Sequence, residues 1–472
     1  MGENGGTAKL RPVSDQLTAE LGELAESHGA AAFGIAGAAP FQRELVTLRS
    51  HKEAGRSARL GFTYGDPSLA TDVTRSFGWA KRIVVVGWNY LEASVGPAPT
   101  GAVVGRFATG DHYQDLRGVT ASLSAHLRRL GYRAEELMDD NRLVDRAAAV
   151  RAGIGWWGKS TMVLAPGHGP WLLLGSVVTD APLTTTRPMQ RGCGTCVACF
   201  PACPTGALGA DGLDARRCLS TWLQTPGSIP HWIRPLLGRR VYGCDDCLTS
   251  CPPGKRSLAS AGERLEAMPF AQLLELSDAD LIERFSWWFV PRRDGRFIRR
   301  NLLIAAGNSG EPEVRHALAG HLSHRSSMIR GHAAWALARG FGAVGLQLLR
   351  TSFASETVPE ARDELALALL MAERPDAHRD VLVFDELVGT EETLRALALM
   401  DDRDVSERLQ LLVLYTGSEP NLVRHEGIDI EYVSVDHVEI DQPFIAVYDP
   451  DRRLEATRRG LRSRSVSGGS AV

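Results

Sequence analysis

All eight cysteines of this 472-residue chain lie between Cys193 and Cys251. A stretch so dense in thiols and turn residues cannot bury a hydrophobic core of its own, so what the thiols bind must organise it. The first run reads Cys193-x2-Cys196-x2-Cys199-x3-Cys203-Pro204. In this bacterial-ferredoxin spacing three thiols hold one [4Fe–4S] cluster and the fourth is carried to another. A second set follows: Cys218, then Cys244-x2-Cys247-x3-Cys251-Pro252. The crossover rule joins Cys193, Cys196 and Cys199 to Cys251. It leaves Cys203, Cys218, Cys244 and Cys247 for a second cluster, with Cys218 standing in for the missing member of the second motif. CxxC pairs also bind zinc, but as two separated knuckles rather than one unbroken run. Two neighbouring clusters make an electron path, and such a path implies an acceptor with chemistry to perform.

No window approaches the ~18 consecutive apolar residues of a membrane span, and the first residues lack the apolar core of a secretory signal. With cysteines clustered rather than spread as a disulfide framework, the expected compartment is the reducing cytoplasm. A net charge of −3 leaves any nucleic-acid partner to be judged from local charge.

The first ~185 residues have an α/β pattern. Helices are expected at Val13–His28, Asp115–Leu130 and Val144–Ala152, and buried strands at Arg82–Leu91 and Trp171–Asp180. Residues 186–256 form the cluster module. Residues 257–374 are helical, and Ile298–Gly307 aligns with Ile329–Ala338 as a two-unit, HEAT-like repeat. Further helices fit Glu313–Leu322 and Pro359–Ala372. Residues 375–450 suggest a small α/β appendage of four strands, with a helix at Glu391–Met400. Residues 451–472, basic and rich in Ser and Gly, are expected to be a disordered tail.

Gly153–Ser160 satisfies the phosphate-loop pattern G-x4-G-K-S. Its context is wrong: a helical pattern precedes it, an extended one follows, and two tryptophans crowd the loop. No nucleotide site is expected there.

Several stretches resemble the bacterial epoxyqueuosine reductases: RAGIGWWGKS (Arg151–Ser160), the double cysteine set, the text from Cys218 to Cys247, and RRNLLIAAGNS with IRGHAAWAL in the repeats. The resemblance runs from residue 60 to about 345 and excludes the appendage. It implies an α+β multidomain protein whose nitroreductase-like α/β domain cups cobalamin against the ferredoxin-like module. Electrons from the clusters would reduce the cobalamin, which removes the epoxide oxygen of epoxyqueuosine in tRNA and leaves queuosine. The leaving oxygen needs a proton donor. The family's aspartate, in V-D-x-G-P-x-x-E-R, maps onto Asp139, with Asp145-Arg146 in place of Glu-Arg; Asp145 is taken as the mutational control. Phe62, Ser220 and Asp245 are the candidate corrin contacts. Asp140-Asn141-Arg142 replaces the family's x-Gly-Pro, and Asp111-His112-Tyr113 stands where Asp-Tyr-His is usual, which puts substrate specificity in question.

Arg284, Arg292, Arg293, Arg296, Arg299 and Arg300 interleave with Phe285, Trp287, Trp288, Phe289 and Phe297. They could contact phosphates and stack on extruded bases of a tRNA anticodon arm; alternatively the aromatics are core and the arginines a solvated face. An electron donor such as flavodoxin or ferredoxin is implied, and a monomer is expected. The rival readings are a dehalogenase-like cobalamin reductase of a small molecule, and an electron-transfer protein without cobalamin.

Overall fold

The run Ile83-Val84-Val85-Val86 is apolar without interruption because it lies in a sheet covered on both faces. The computed structural model describes residues 13–58, 61–91, 95–261, 265–266, 268–373, 411–413, 445–449 and 452–457. Helix α1 (Val13–Ser27) leads into strand β1 (Ala32–Gly37); strand β2 (Arg82–Asn89) is followed by helix α2 (His112–Arg129) and strand β3 (Ala134–Leu137). Helix α3 (Asp145–Arg151) then precedes a hairpin, β4 (Trp156–Trp157) and β5 (Val163–Leu164), and the long strand β6 (Leu172–Thr179). The main sheet has the order β1-β2-β6-β3, antiparallel throughout.

Side chains alternate across the sheet. Ile35, Val84, Val86, Leu173 and Val177 pack with Leu17, Leu21 and Ala25 of α1 and with Leu116, Val119, Leu123 and Leu127 of α2. On the opposite face Ala36, Ile83, Val85, Leu137, Leu172 and Val178 pack with Ala147, Ala148 and Ala149 of α3 and with Phe41, Val73 and Phe77. Helix α2 begins earlier than its apolar periodicity predicts. Asp111 caps it, its Oδ1 accepting from the Gln114 N–H at 3.0 Å. Strand β1, AFGIAG, carries too little β-branched text to stand out from sequence. It needs Gly34, where a Cβ would lie 2.1 Å from the Ala152 carbonyl oxygen.

Two compact units emerge where five segments were expected. The first comprises Met1–Pro226, Arg240–Pro269 and Leu276–Asn301; the second comprises Gly227–Arg239, Phe270–Glu275 and Leu302–Val472. The first unit runs across the expected borders near 185 and 256, and contacts join the cysteine segment to the α/β layers. Arg240–Tyr242 pairs parallel with Val103–Val104, and the Trp171 indole N–H donates to the Gly254 carbonyl at 3.0 Å.

The second unit holds the C-terminal part of α4 (Arg296–Ser309), then α5 (Arg315–Gly320), α6 (Ser327–Phe341), α7 (Leu346–Ser355) and α8 (Pro359–Glu373). The later turns of α4 pack closely on α6: a Cβ at Gly307 would lie 2.6 Å from the Ala336 Cα. A buried fork joins Arg234 to Glu364, Nη1 to Oε2 at 2.8 Å and Nη2 to Oε1 at 2.6 Å. Arg234 Nε donates to the Ile229 carbonyl, and His231 Nε2 lies 3.1 Å from Glu364 Oε2. Burial would raise the Glu364 pKa, but Arg234 and His231 together hold it well below the usual range.

Toward the C-terminus, Leu411–Val413, Ile445–Asp449 and Arg452–Thr457 form a three-stranded antiparallel sheet. The second and fourth expected strands fall in it; the first, the third and the helix Glu391–Met400 lie outside the described residues. Within the stretch expected to be a disordered tail, residues 452–457 form a strand; residue 451 and those from 458 on lie outside the described residues. Asp449 pairs with Arg452 in the antiparallel register of the last two strands, where the text alternates as RRLEAT.

Candidate functional site

The site belongs to the first unit. Burial pushes the Cys199 thiol up, and the neighbouring thiols that add to this are Cys193, Cys251 and Cys196. Cys251 is raised chiefly by burial, then by Cys193 and Cys196, against the opposing Gly254 N–H. Burial, followed by Cys244, Cys218, Asp245 and Cys203, raises Cys247 far above the thiol range. Cys244 is pushed up to about 12 by burial, with Asp246 and Cys218 adding. The fold thus brings Cys193, Cys196, Cys199 and Cys251 together as one neighbourhood and Cys203, Cys218, Cys244 and Cys247 as another. Bare thiols packed this closely resist ionisation. A cationic centre that binds thiolates removes that penalty.

The segment that imitates a phosphate loop is the β4–β5 hairpin, in which the Gly158 N–H donates to the Met162 carbonyl at 2.8 Å. It secures the first cysteine run. The Lys159 N–H donates to Cys193 Sγ at 3.4 Å, and Lys159 Nζ donates to the Gly194 carbonyl at 2.8 Å.

Asp139 follows β3 with an exposed side chain and a left-handed backbone, φ 47°. Asp and Asn adopt this region more readily than other non-glycine residues. The Tyr113 hydroxyl, from the first turn of α2, donates to Asp139 Oδ2. Burial, then the charge and hydrogen bond of Asp139, raise the Tyr113 pKa well above its usual value, so Tyr113 stays a donor. Where the family pattern has Gly-Pro, Arg142 forms a fork with Asp140: Nε to Oδ1 at 2.8 Å and Nη2 to Oδ2 at 2.6 Å. The guanidinium carbon lies 5.1 Å from the Phe77 ring centre. Asp145 is no neutral control position. Its Oδ1 is buried without a hydrogen-bond partner, and the Asp139 N–H faces its carboxyl.

Asp245 is buried, its Oδ2 accepting from the Arg106 N–H at 2.7 Å while Oδ1 has no partner. Burial raises its pKa to about 6, against the Arg106 N–H and charge. Ser220 Oγ accepts from Gln224 Nε2 at 2.9 Å, and the Tyr242 hydroxyl donates to Gln224 Oε1 at 3.2 Å. Burial is the main cause of the raised Tyr242 pKa, and Asp139 adds its charge. Ser220 therefore connects through Gln224 and Tyr242 to the neighbourhood of Asp139. Phe62 is 45% exposed on the short helix Phe62–Gly65, whose Tyr64 senses the charge of Arg146.

The aromatic stretch is largely core. Phe285 and Trp288 are buried, with Trp288 stacked on Tyr242 at 4.3 Å and on Phe285 at 3.9 Å. Both Trp287 and Trp288 indole N–H groups donate to the Ala108 carbonyl at 2.8 Å. Arg300 donates to the Thr225 and Trp222 carbonyls, and Arg299 to Asp278. Phe289 alone of Phe285, Trp287, Trp288, Phe289 and Phe297 is highly exposed, at 67%. Tyr113, Tyr242 and Arg142 are the site residues that sequence reading missed. The Asp-His-Tyr departure was the available signal for the first, and nothing in the text marked the second.

Residues 192–254 match the family model of the 4Fe-4S double cluster binding domain. The epoxyqueuosine reductase of Vibrio cholerae is 33% identical over 280 residues, 54% of this chain and 74% of that protein. That of Alicycliphilus denitrificans is 31% identical over 358 residues, 69% of this chain and 99% of the relative. The chain belongs to the epoxyqueuosine reductase family. A solved epoxyqueuosine reductase holding an epoxyqueuosine-modified tRNA-Tyr stem loop superposes with TM-score 0.69 at 28% identity, covering 76% of this chain and 99% of that one. The Bacillus subtilis enzyme, with its catalytic loop swung out of the active site, superposes with TM-score 0.66 at 28% identity, covering 75% and 99%. Among the described residues no helix is long and apolar enough to cross a membrane.

Proposed function

We propose that this protein reduces epoxyqueuosine to queuosine at the wobble position of tRNA. The observation that carries the reading is an exposed carboxyl, held by Tyr113, in the same unit as two sets of four thiols. Cys193, Cys196, Cys199 and Cys251 hold one [4Fe–4S] cluster, and Cys203, Cys218, Cys244 and Cys247 the other. The orphaned, buried Asp245 Oδ1 fits a ligand whose rim carries amide N–H donors, as a corrin does. Phe62 and Ser220 complete the proposed corrin contacts. Cobalamin held there would supply the two-electron reducing chemistry that epoxide removal requires. Asp139 delivers a proton to the departing oxygen, and Tyr113 fixes its direction of approach.

The antiparallel sheet with helices on both faces supports a nitroreductase-like core, and the α4–α6 contact supports HEAT-like pairing. Exposed Phe289, with Arg292 and Arg293, offers one ring for a base and two cations for phosphates. The protein works as a cytoplasmic monomer supplied by a flavodoxin or ferredoxin.

The test is anaerobic reconstitution with iron, sulfide and cobalamin, followed by assay on an epoxyqueuosine stem loop. About eight irons per chain, bound cobalt and queuosine formation bear the reading out. Clusters and cobalt without turnover move the substrate to another molecule, and clusters without cobalt favour electron transfer alone.

A further inference from the structure

Removing an epoxide oxygen consumes two electrons and two protons: both C–O bonds break, a C=C bond forms, and the oxygen leaves as water. A single carboxyl such as Asp139 can deliver only one proton at a time. A second acidic group lies directly behind it. Asp145, at the first position of α3, has its Oδ1 sealed from solvent without a partner, and the Asp139 N–H faces its carboxyl. A buried carboxylate with an orphaned oxygen is costly, whereas a protonated carboxyl in the same place has something to donate.

We propose that Asp145 is the proton reserve of the reaction, returning a proton to the Asp139 carboxylate within each turnover. This rests on the function proposed above. Asp139 gives its proton to the oxygen as the first C–O bond opens, and it is left as a carboxylate. Asp145 reprotonates it, and Asp139 then protonates the oxygen a second time as it leaves. Solvent reloads the pair through exposed Asp139 between turnovers. Electrons enter by the clusters, so protons and electrons balance. Asp145 does not touch substrate; it acts through Asp139.

The surroundings keep the reserve filled. Burial first, then the Asp139 charge and that of Asp140, raise the Asp145 pKa well above the carboxylate range, against the charge of Arg146 and the hydrogen bond from the Asp139 N–H. Tyr113, the remaining titratable neighbour, is itself held neutral. The pair divides the labour of two like carboxyls, the exposed one meeting the substrate and the buried one storing the proton.

The test compares wild type, Asp145→Asn, Asp145→Glu and Asp139→Asn with both clusters in place. In the infrared, the C=O stretch of a protonated, dehydrated carboxyl at neutral pH is expected in wild type and Asp139→Asn and absent from Asp145→Asn. On the stem loop, Asp145→Asn should turn over about tenfold more slowly and lose the fall in rate that wild type shows as pH rises through the Asp145 pKa. Asp145→Glu should restore both, and a residue with only a packing role would not move the pH profile. Wild-type turnover with an unchanged Asp145→Asn profile, or no infrared band dependent on Asp145, overturns the relay alone. Failure of wild type to convert epoxyqueuosine overturns the functional reading and the relay with it.

Discussion

Replacing Asp139 with Asn removes the proton-carrying group, and with it the charge that Tyr113, Tyr242 and Asp145 sense, while keeping the shape of the side chain. The left-handed backbone at φ 47° is tolerated by Asn as readily as by Asp. The Tyr113 hydroxyl still finds a carbonyl oxygen where it now meets Oδ2. Alanine is the poorer test, because a left-handed alanine costs about 1–2 kcal/mol of backbone strain and orphans the Tyr113 hydroxyl. Loss of a positioned general acid costs about 10²–10⁴-fold in rate, or about 2.7–5.4 kcal/mol of barrier. The assay is single turnover on the epoxyqueuosine stem loop, with iron and cobalt content measured on the same samples and Glu23→Gln, on the exposed face of α1, as the control. A rate within roughly threefold of wild type, with cofactor content intact, would remove Asp139 from proton transfer.

Three further outcomes follow from other parts of the molecule. Cys251→Ser should disturb the cluster of Cys193, Cys196 and Cys199, and Cys218→Ser the other one; paramagnetic resonance of each variant should lose or alter a different signal, and the same signal lost in both would break the proposed grouping. Arg234→Met strands the Glu364 carboxylate in the core and should cost about 3–5 kcal/mol in denaturant unfolding, most of it regained in the double variant with Glu364→Leu. Asp145→Asn should gain stability relative to wild type as pH rises. The folded pKa of Asp145 lies above its unfolded value, so the native state binds the extra proton and wild-type stability falls with increasing pH across that interval. Melting temperatures at pH 5 and pH 8 check the sign.

Much of this protein could be read before its structure. Helices α1, α3, α4, α6 and α8 and strands β2 and β6 lie close to their predicted bounds because periodicity is a local property. The double-cluster segment was legible for a different reason: cysteine spacing encodes which loop can wrap a cluster. Local text could not report depth. The arginine and tryptophan stretch read equally well as an RNA platform or as core, and packing decided for core at Trp288 and Arg300 while leaving Phe289 outside. Asp145 looked like a bystander because its burial and its orphaned oxygen arise from contacts that no nearby residue announces. The Asp140–Arg142 fork was visible only as a departure from Gly-Pro, with no hint that it supplies another brace for the same turn.

The interleaving of the two thiol groups bears on how the protein is made. Each group draws on residues from both ends of the segment between Cys193 and Cys251, so neither can close early in synthesis. In the proposed grouping Cys247 completes one set and Cys251, the residue before the helix Pro252–Ala261, completes the other almost at once. Until the ribosome has passed that point, a nascent chain can offer iron only an incomplete set of thiols. On that grouping, neither complete set of four thiols exists until the whole segment has emerged.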